Sequence, residues 1–156
     1  MKTFLKNNIA IFVICISVLI VAILGSVFVN LGMDWYNTLE KPSQWIPNFV
    51  IPIVWTIIYL LFIVILSIFN KNKLLNNKII IYCVLNAILN ILWCLIFFTL
   101  NQLLIGNIII ILNLFAGTVL IFLLNKTNKF YIYFLYLYPI GSAIATSLNF
   151  ALWIIN

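Results

Sequence analysis

Five long apolar stretches, separated by brief polar breaks, fill nearly the whole chain. They cover residues 9–29, 48–69, 78–100, 103–125 and 130–156. Each reaches the roughly 20 residues that a helix rising about 1.5 Å per residue needs to cross a hydrocarbon core about 30 Å thick. The pattern predicts an all-α integral membrane protein, a five-transmembrane-helix bundle forming a single domain over residues 1–156. The first stretch is too long for a cleaved signal segment and lacks a small-x-small cleavage site, so it reads as a retained helix.

Polar residues inside these stretches recur at helical spacing. Asn86, Asn90, Trp93 and Phe97 fall on one face of the third helix, and Ser142, Thr146, Asn149, Trp153 and Asn156 on one face of the fifth, with Ala145 beside them. Trp55 and Tyr59 lie a turn apart on the second. A polar stripe facing lipid is costly, so these faces should point into the bundle. There they either bond neighbouring helices, at about 0.6–2 kcal/mol each, or touch a ligand. The longest break, residues 30–47, contains Asp34 and Glu40 together with Trp35, Tyr36 and Trp45, and such an aromatic loop is expected to fold over the bundle. Pro47 suits the first turn of the second helix, while Pro52 and Pro139 are expected to bend the second and fifth helices.

Composition strengthens the membrane reading: 67% of residues are hydrophobic and 6% charged, too little polarity to cover a soluble domain. The charges then set topology. Seven of the eight lysines flank one side of the predicted bundle and only Lys41 lies on the other. The positive-inside rule places the N-terminus in the cytoplasm and the aromatic loop and C-terminus outside, in a multi-pass protein of a bacterial cell membrane. The net charge of +6 is thereby topological, and without arginine or a basic stripe interleaved with exposed aromatics no nucleic-acid partner is expected.

Several chemistries are excluded or disfavoured. Without histidine there is no imidazole base and no imidazole-ligated metal or haem. Cys15, Cys83 and Cys94 lie within apolar stretches and lack CxxC spacing, which gives neither a zinc site nor a disulfide framework. Asp34 and Glu40, in a solvated loop, have no reason for the shifted pKa values of an acid–base pair. No catalytic residue or required cofactor is expected.

Tryptophan depth points to a cavity. An aromatic belt marks both membrane interfaces, yet all five tryptophans fall in the outer half. Trp55 and Trp93 lie roughly 10 Å below the outer surface at about 1.5 Å per residue, deep for a belt. Aromatic core packing is one reading. The other is a planar apolar cavity beneath the outer loop, with a few amides to orient a guest.

At these residues a resemblance becomes specific. The run Trp35-Tyr36-Asn37-Thr38-Leu39-Glu40-Lys41-Pro42 resembles the WYxxLxKP segment of the TspO/MBR family, the translocator proteins or tryptophan-rich sensory proteins. The likeness continues through Pro47, Pro52, Trp55 and Tyr59, then Leu89, Asn90, Trp93, Phe97 and Phe98, and ends with Ala143, Ala145, Thr146, Leu148, Asn149 and Asn156. It implies five transmembrane helices, a homodimer in the lipid bilayer, and a pocket under the first loop for a porphyrin of the protoporphyrin type or another flat hydrophobic molecule. Taken with the polar and aromatic faces read from helical spacing, it gives as expected ligand-binding residues Trp35, Pro42, Trp45, Trp55, Tyr59, Asn86, Asn90, Trp93, Phe97, Ala145, Leu148 and Asn149.

Departures from the family pattern shape the functional reading. Residues 41–47 shift the loop tryptophan by one position and lose a proline relative to KPxWxPP. Gly141 stands where relatives carry an aromatic, Ile105 and Ile109 where many have Trp and an acidic residue, and Phe150 and Ile154 where animal members carry the Tyr and Arg of a cholesterol motif. Sterol binding through that motif is not supported. A receptor or sensor binding tetrapyrroles leads; a light-dependent, tryptophan-dependent porphyrin-degrading enzyme and a tetrapyrrole transporter are the alternatives. The lack of ionisable residues within the stretches counts against coupled transport.

Overall fold

The computed structural model describes residues 2–43, 49–126 and 130–156, with side chains from Asn8 onward. Five helices long and apolar enough to cross a membrane are present among them. They are α1 (Lys2–Thr38), α2 (Val50–Lys71), α3 (Asn77–Cys94), α4 (Leu103–Asn125) and α5 (Leu137–Ile155). A π-helical turn, Leu95–Thr99, extends α3, and a 3₁₀ segment, Phe130–Tyr136, leads into α5. Around the bundle the order is α1, α2, α5, α4 and α3, closing back on α1.

The first helix runs nine residues past its expected end at Val29, so Trp35 and Tyr36 stand on α1 and not in a loop. Packing explains the extension. Val29, Gly32, Tyr36 and Leu39 repeat at helical spacing toward the Trp93–Phe97 cluster, and that apolar face outweighs the local polarity of Asn30 and Asp34. Pro52 falls in the first turn of α2, where its missing N–H leaves no intrahelical bond unmade, so the bend expected there has no local cause. Pro139 is likewise in the first turn of α5, and the residues before it are 3₁₀. Proline lacks the donor that would bond Leu135 and crowds its carbonyl, which disfavours α-helix upstream. Pro47 and Trp45 lie outside the described residues.

The bundle is unevenly packed. A large apolar cluster, including Phe69, Leu124, Ile132, Leu135 and Tyr138, fills the end near the α2–α3 connection, and a smaller one around Trp93, Phe97, Ile110 and Leu152 fills the other end. The fourth helix buries residues all along its length, and two of its glycines permit close approach: a Cβ at Gly117 would lie 2.0 Å from Tyr138 Cε1, and one at Gly106 2.8 Å from Phe97 Cδ2. On α1, by contrast, only Gly25 and Gly32 are fully buried among the residues with described side chains. Close packing on one side and loose packing on the other leave space alongside α1.

Candidate functional site

A cavity of about 550 Å³ occupies that space, bounded by α1, α2 and α3 below the segment that follows α1. Its volume falls within the usual range for small-molecule sites. From α2, Trp55 and Tyr59 line it, and from α3 and its π-turn, Asn90, Trp93 and Phe98. Trp55 and Trp93 stack with centroids 6.4 Å apart and planes 30° from parallel. Aromatic contacts extend in both directions: Trp55 meets Tyr138 edge-on at 5.9 Å, and Trp93 meets Phe98 edge-on at 5.8 Å. Each such pair contributes about 0.5–1.5 kcal/mol beyond area burial and favours defined ring orientations. The Tyr59 hydroxyl donates to Asn90 Oδ1 at 3.1 Å, fixing the two polar groups on the cavity floor.

The π-turn aligns this wall. Leu100 N–H bonds Leu95 O at 2.9 Å, and the Thr99 hydroxyl donates to Phe28 O on α1 at 2.9 Å. At the crossing, a Cβ on Gly32 would lie 2.0 Å from the Phe98 carbonyl oxygen, so only glycine admits this approach. Single π-turns within α-helices are frequent at functional sites because they rotate the following side chains. Here the turn accompanies a division of labour: Phe98 lines the cavity, while Phe97 is fully buried behind it.

At the mouth, Lys41 lines the cavity, with Nζ 3.3 Å from Asn37 Oδ1 and 4.7 Å from the Tyr36 ring centroid. The segment that carries it is fastened across the bundle. Glu40 N–H donates to Asn156 Oδ1 at 2.9 Å, and Asn156 Nδ2 donates to Glu40 O at 3.0 Å. Two bonds from one amide tie the exit of α1 to the end of α5.

Of the residues singled out in the sequence, Trp55, Tyr59, Asn90 and Trp93 meet at this cavity. Trp35 and Phe97 stand behind the wall, edge to face at 6.1 Å. Asn86 is a turn further along α3, where its Nδ2 donates to Asn113 Oδ1 at 2.8 Å and Tyr138 Oη at 2.6 Å. Ala145 packs in the Trp93 cluster from the far side, and the Asn149 carbonyl accepts from Asn107 Nδ2 at 3.4 Å. Leu148 is half-buried on α5 and Pro42 half-buried beside Lys41, neither among the lining residues; Trp45 is outside the described residues. The buried face of α5 is Ser142, Ala145, Asn149 and Leu152, and Trp153 turns outward from it, packing on Phe150. Asn86, Asn90, Trp93 and Phe97 are all buried, as the spacing on the third helix predicts.

Sequence reasoning passed over the contribution of α1. Ser26, Asn30, Met33 and Asn37 line the cavity at spacings of four, three and four. That period was present in the sequence, but ending the helix at Val29 hid it. Cys15, Cys83 and Cys94 are separate free thiols, and among the described residues no group of three His, Cys, Asp or Glu side chains comes together.

Five apolar helices around an aromatic-walled cavity, with Glu40 fastened to Asn156 beside its mouth, define a multi-pass membrane protein. Residues 12–154 match the TspO/MBR family, and the chain belongs to that family. It is 30% identical over 129 residues to protein CrtK of Rhodobacter capsulatus, covering 78% of each chain. It is 28% identical over 144 residues to tryptophan-rich protein TspO of Archaeoglobus fulgidus, covering 90% of this chain and 93% of the relative. Family membership suggests a sensor- or receptor-type role in the membrane.

Proposed function

We propose that this protein binds a porphyrin or a similar flat hydrophobic molecule in the cavity beside α1, as a membrane sensor. The observation carrying this reading is the stacked Trp55–Trp93 pair in a cavity of about 550 Å³ with Lys41 at its mouth. A flat apolar guest gains area burial and ring contact from the tryptophans, and the ammonium group favours an acidic substituent left at the mouth. The Asn37, Asn30 and Ser26 side chains supply polar contacts along α1.

The functional unit is a homodimer with the N-terminus cytoplasmic and the Lys41 end outside. Lysine placement supports the orientation, and the family resemblance supports the dimer. Purified protein titrated with protoporphyrin in the dark should show saturable quenching of tryptophan fluorescence. Absence of saturable quenching in folded protein rejects the binding reading. The same sample, illuminated, tests the enzymatic alternative: loss of pigment that requires Trp55 or Trp93 makes the site degradative as well as receptive. An N-terminal tag protected from an external impermeant label, with a C-terminal tag exposed, is expected for the orientation; the reverse overturns it.

A further inference from the structure

A second cavity, of about 300 Å³, lies further along α1, toward the end of the bundle that carries Lys71, Lys73 and Lys78. Tyr59 and Asn90 belong to the walls of both cavities, and the hydrogen bond between them forms the partition. No charged side chain lines the second cavity. At its floor Asn86 already spends its amide protons on Asn113 and Tyr138. Ser17, Tyr59, Asn90 and Tyr138 bring further polar groups to its wall, but most of the lining is aliphatic, which suits a hydrocarbon guest better than water.

The rim tells where the guest enters. Val13 on α1 and Ile80 and Val84 on α3 line the cavity while remaining about half exposed on the apolar surface of membrane-crossing helices. The opening therefore faces sideways into the bilayer, reachable without passage through water. Leu75, in the α2–α3 connection, lines the same cavity, and this connection and its flanks carry Lys71, Lys73 and Lys78, all exposed. Both acidic residues, Asp34 and Glu40, are at the opposite end of α1. Basic clusters beside a membrane-crossing helix attract anionic lipid headgroups.

We propose that this cavity is a second binding site, taking one acyl chain of an anionic phospholipid whose headgroup rests against Lys71, Lys73 and Lys78. The chain enters between α1 and α3 and ends below the Tyr59–Asn90 partition. Its presence braces the Tyr59 ring from the side opposite the larger cavity.

The test is lipid retention by the whole protein, read by native mass spectrometry after release from detergent. With phosphatidylglycerol and phosphatidylcholine of identical straight chains in equal amounts, phosphatidylglycerol should be retained at least about fivefold more. The K71Q/K73Q/K78Q variant, altered only at exposed side chains, should retain one lipid without that preference. Ala87→Phe, which projects a ring from the cavity wall, should lose the retained lipid. Diphytanoyl phosphatidylglycerol, with the same headgroup and methyl-branched chains, tests the cavity without a variant and should be retained at least about fivefold less than the straight-chain lipid. Equal retention of the two headgroups, or of straight and branched chains, marks annular lipid only and overturns the proposal.

Discussion

The two sides of this bundle are built from similar residues and do different things. Where α3, α4 and α5 meet, asparagines bond across helices, and Gly106 and Gly117 draw the backbones close. Where α1 meets α2 and α3, the same residue types line two cavities. Association in a bilayer rests on close packing and interhelical hydrogen bonds, because the surrounding lipid is as apolar as the helices. Among the described side chains of α1 only two glycines are fully buried, so this helix contributes little close packing and space remains beside it, while α3, α4 and α5 pack closely.

The contrast is broken most severely at Gly32, where α1 packs as closely as the other side does. Gly32→Ala forces a methyl into the Phe98 carbonyl, and overpacking against backbone costs about 1–3 kcal/mol or more. Thermal unfolding in detergent should show a clear loss of stability. A variant as stable as the parent means the α1 crossing is not tight. Next in size is the aromatic wall: Trp93→Ala should weaken protoporphyrin binding about tenfold or more, since 1.4 kcal/mol is a factor of ten. Trp153→Ala and Tyr133→Ala, at exposed positions away from the cavity, should leave affinity within about twofold by the same fluorescence titration.

Smaller effects probe the mouth. Asn156→Ala removes both bonds to Glu40, each worth about 1 kcal/mol net when protected and less at this exposed position. Ligand dissociation in stopped-flow should quicken a few-fold with little change in unfolding temperature. Unchanged dissociation would mean that the segment does not restrain the guest. Lys41→Gln should have the least effect, about two- to fivefold on protoporphyrin affinity, in keeping with an exposed charge contact of about 0.2–1 kcal/mol. The dimethyl ester of the same porphyrin should bind both forms alike; a loss equal to that of the free acid removes Lys41 from ligand recognition.

What was legible in the sequence was whatever the bilayer dictates locally. Five apolar stretches of spanning length specify five helices, because an unbonded backbone in hydrocarbon costs several kcal/mol per group, and the ends of the second to fourth stretches fall within two residues of the structure. The inward face of α3 was legible for the same reason: Asn86, Asn90, Trp93 and Phe97 share one side, and amides are expensive toward lipid. Tertiary contact decided the rest. The continuation of α1 through Trp35 depends on Tyr36 and Leu39 reaching the Trp93 cluster, and the π-turn sits where Gly32 meets Phe98, across 66 positions of sequence. Nor does local pattern separate Trp93, on the cavity wall, from Trp153, turned outward, since both lie at helical spacing from an inward asparagine. Hydropathy reports the preference of each residue for lipid over water; which apolar surfaces close on one another and which leave a cavity is set by the fit of side chains brought together only by the folded bundle.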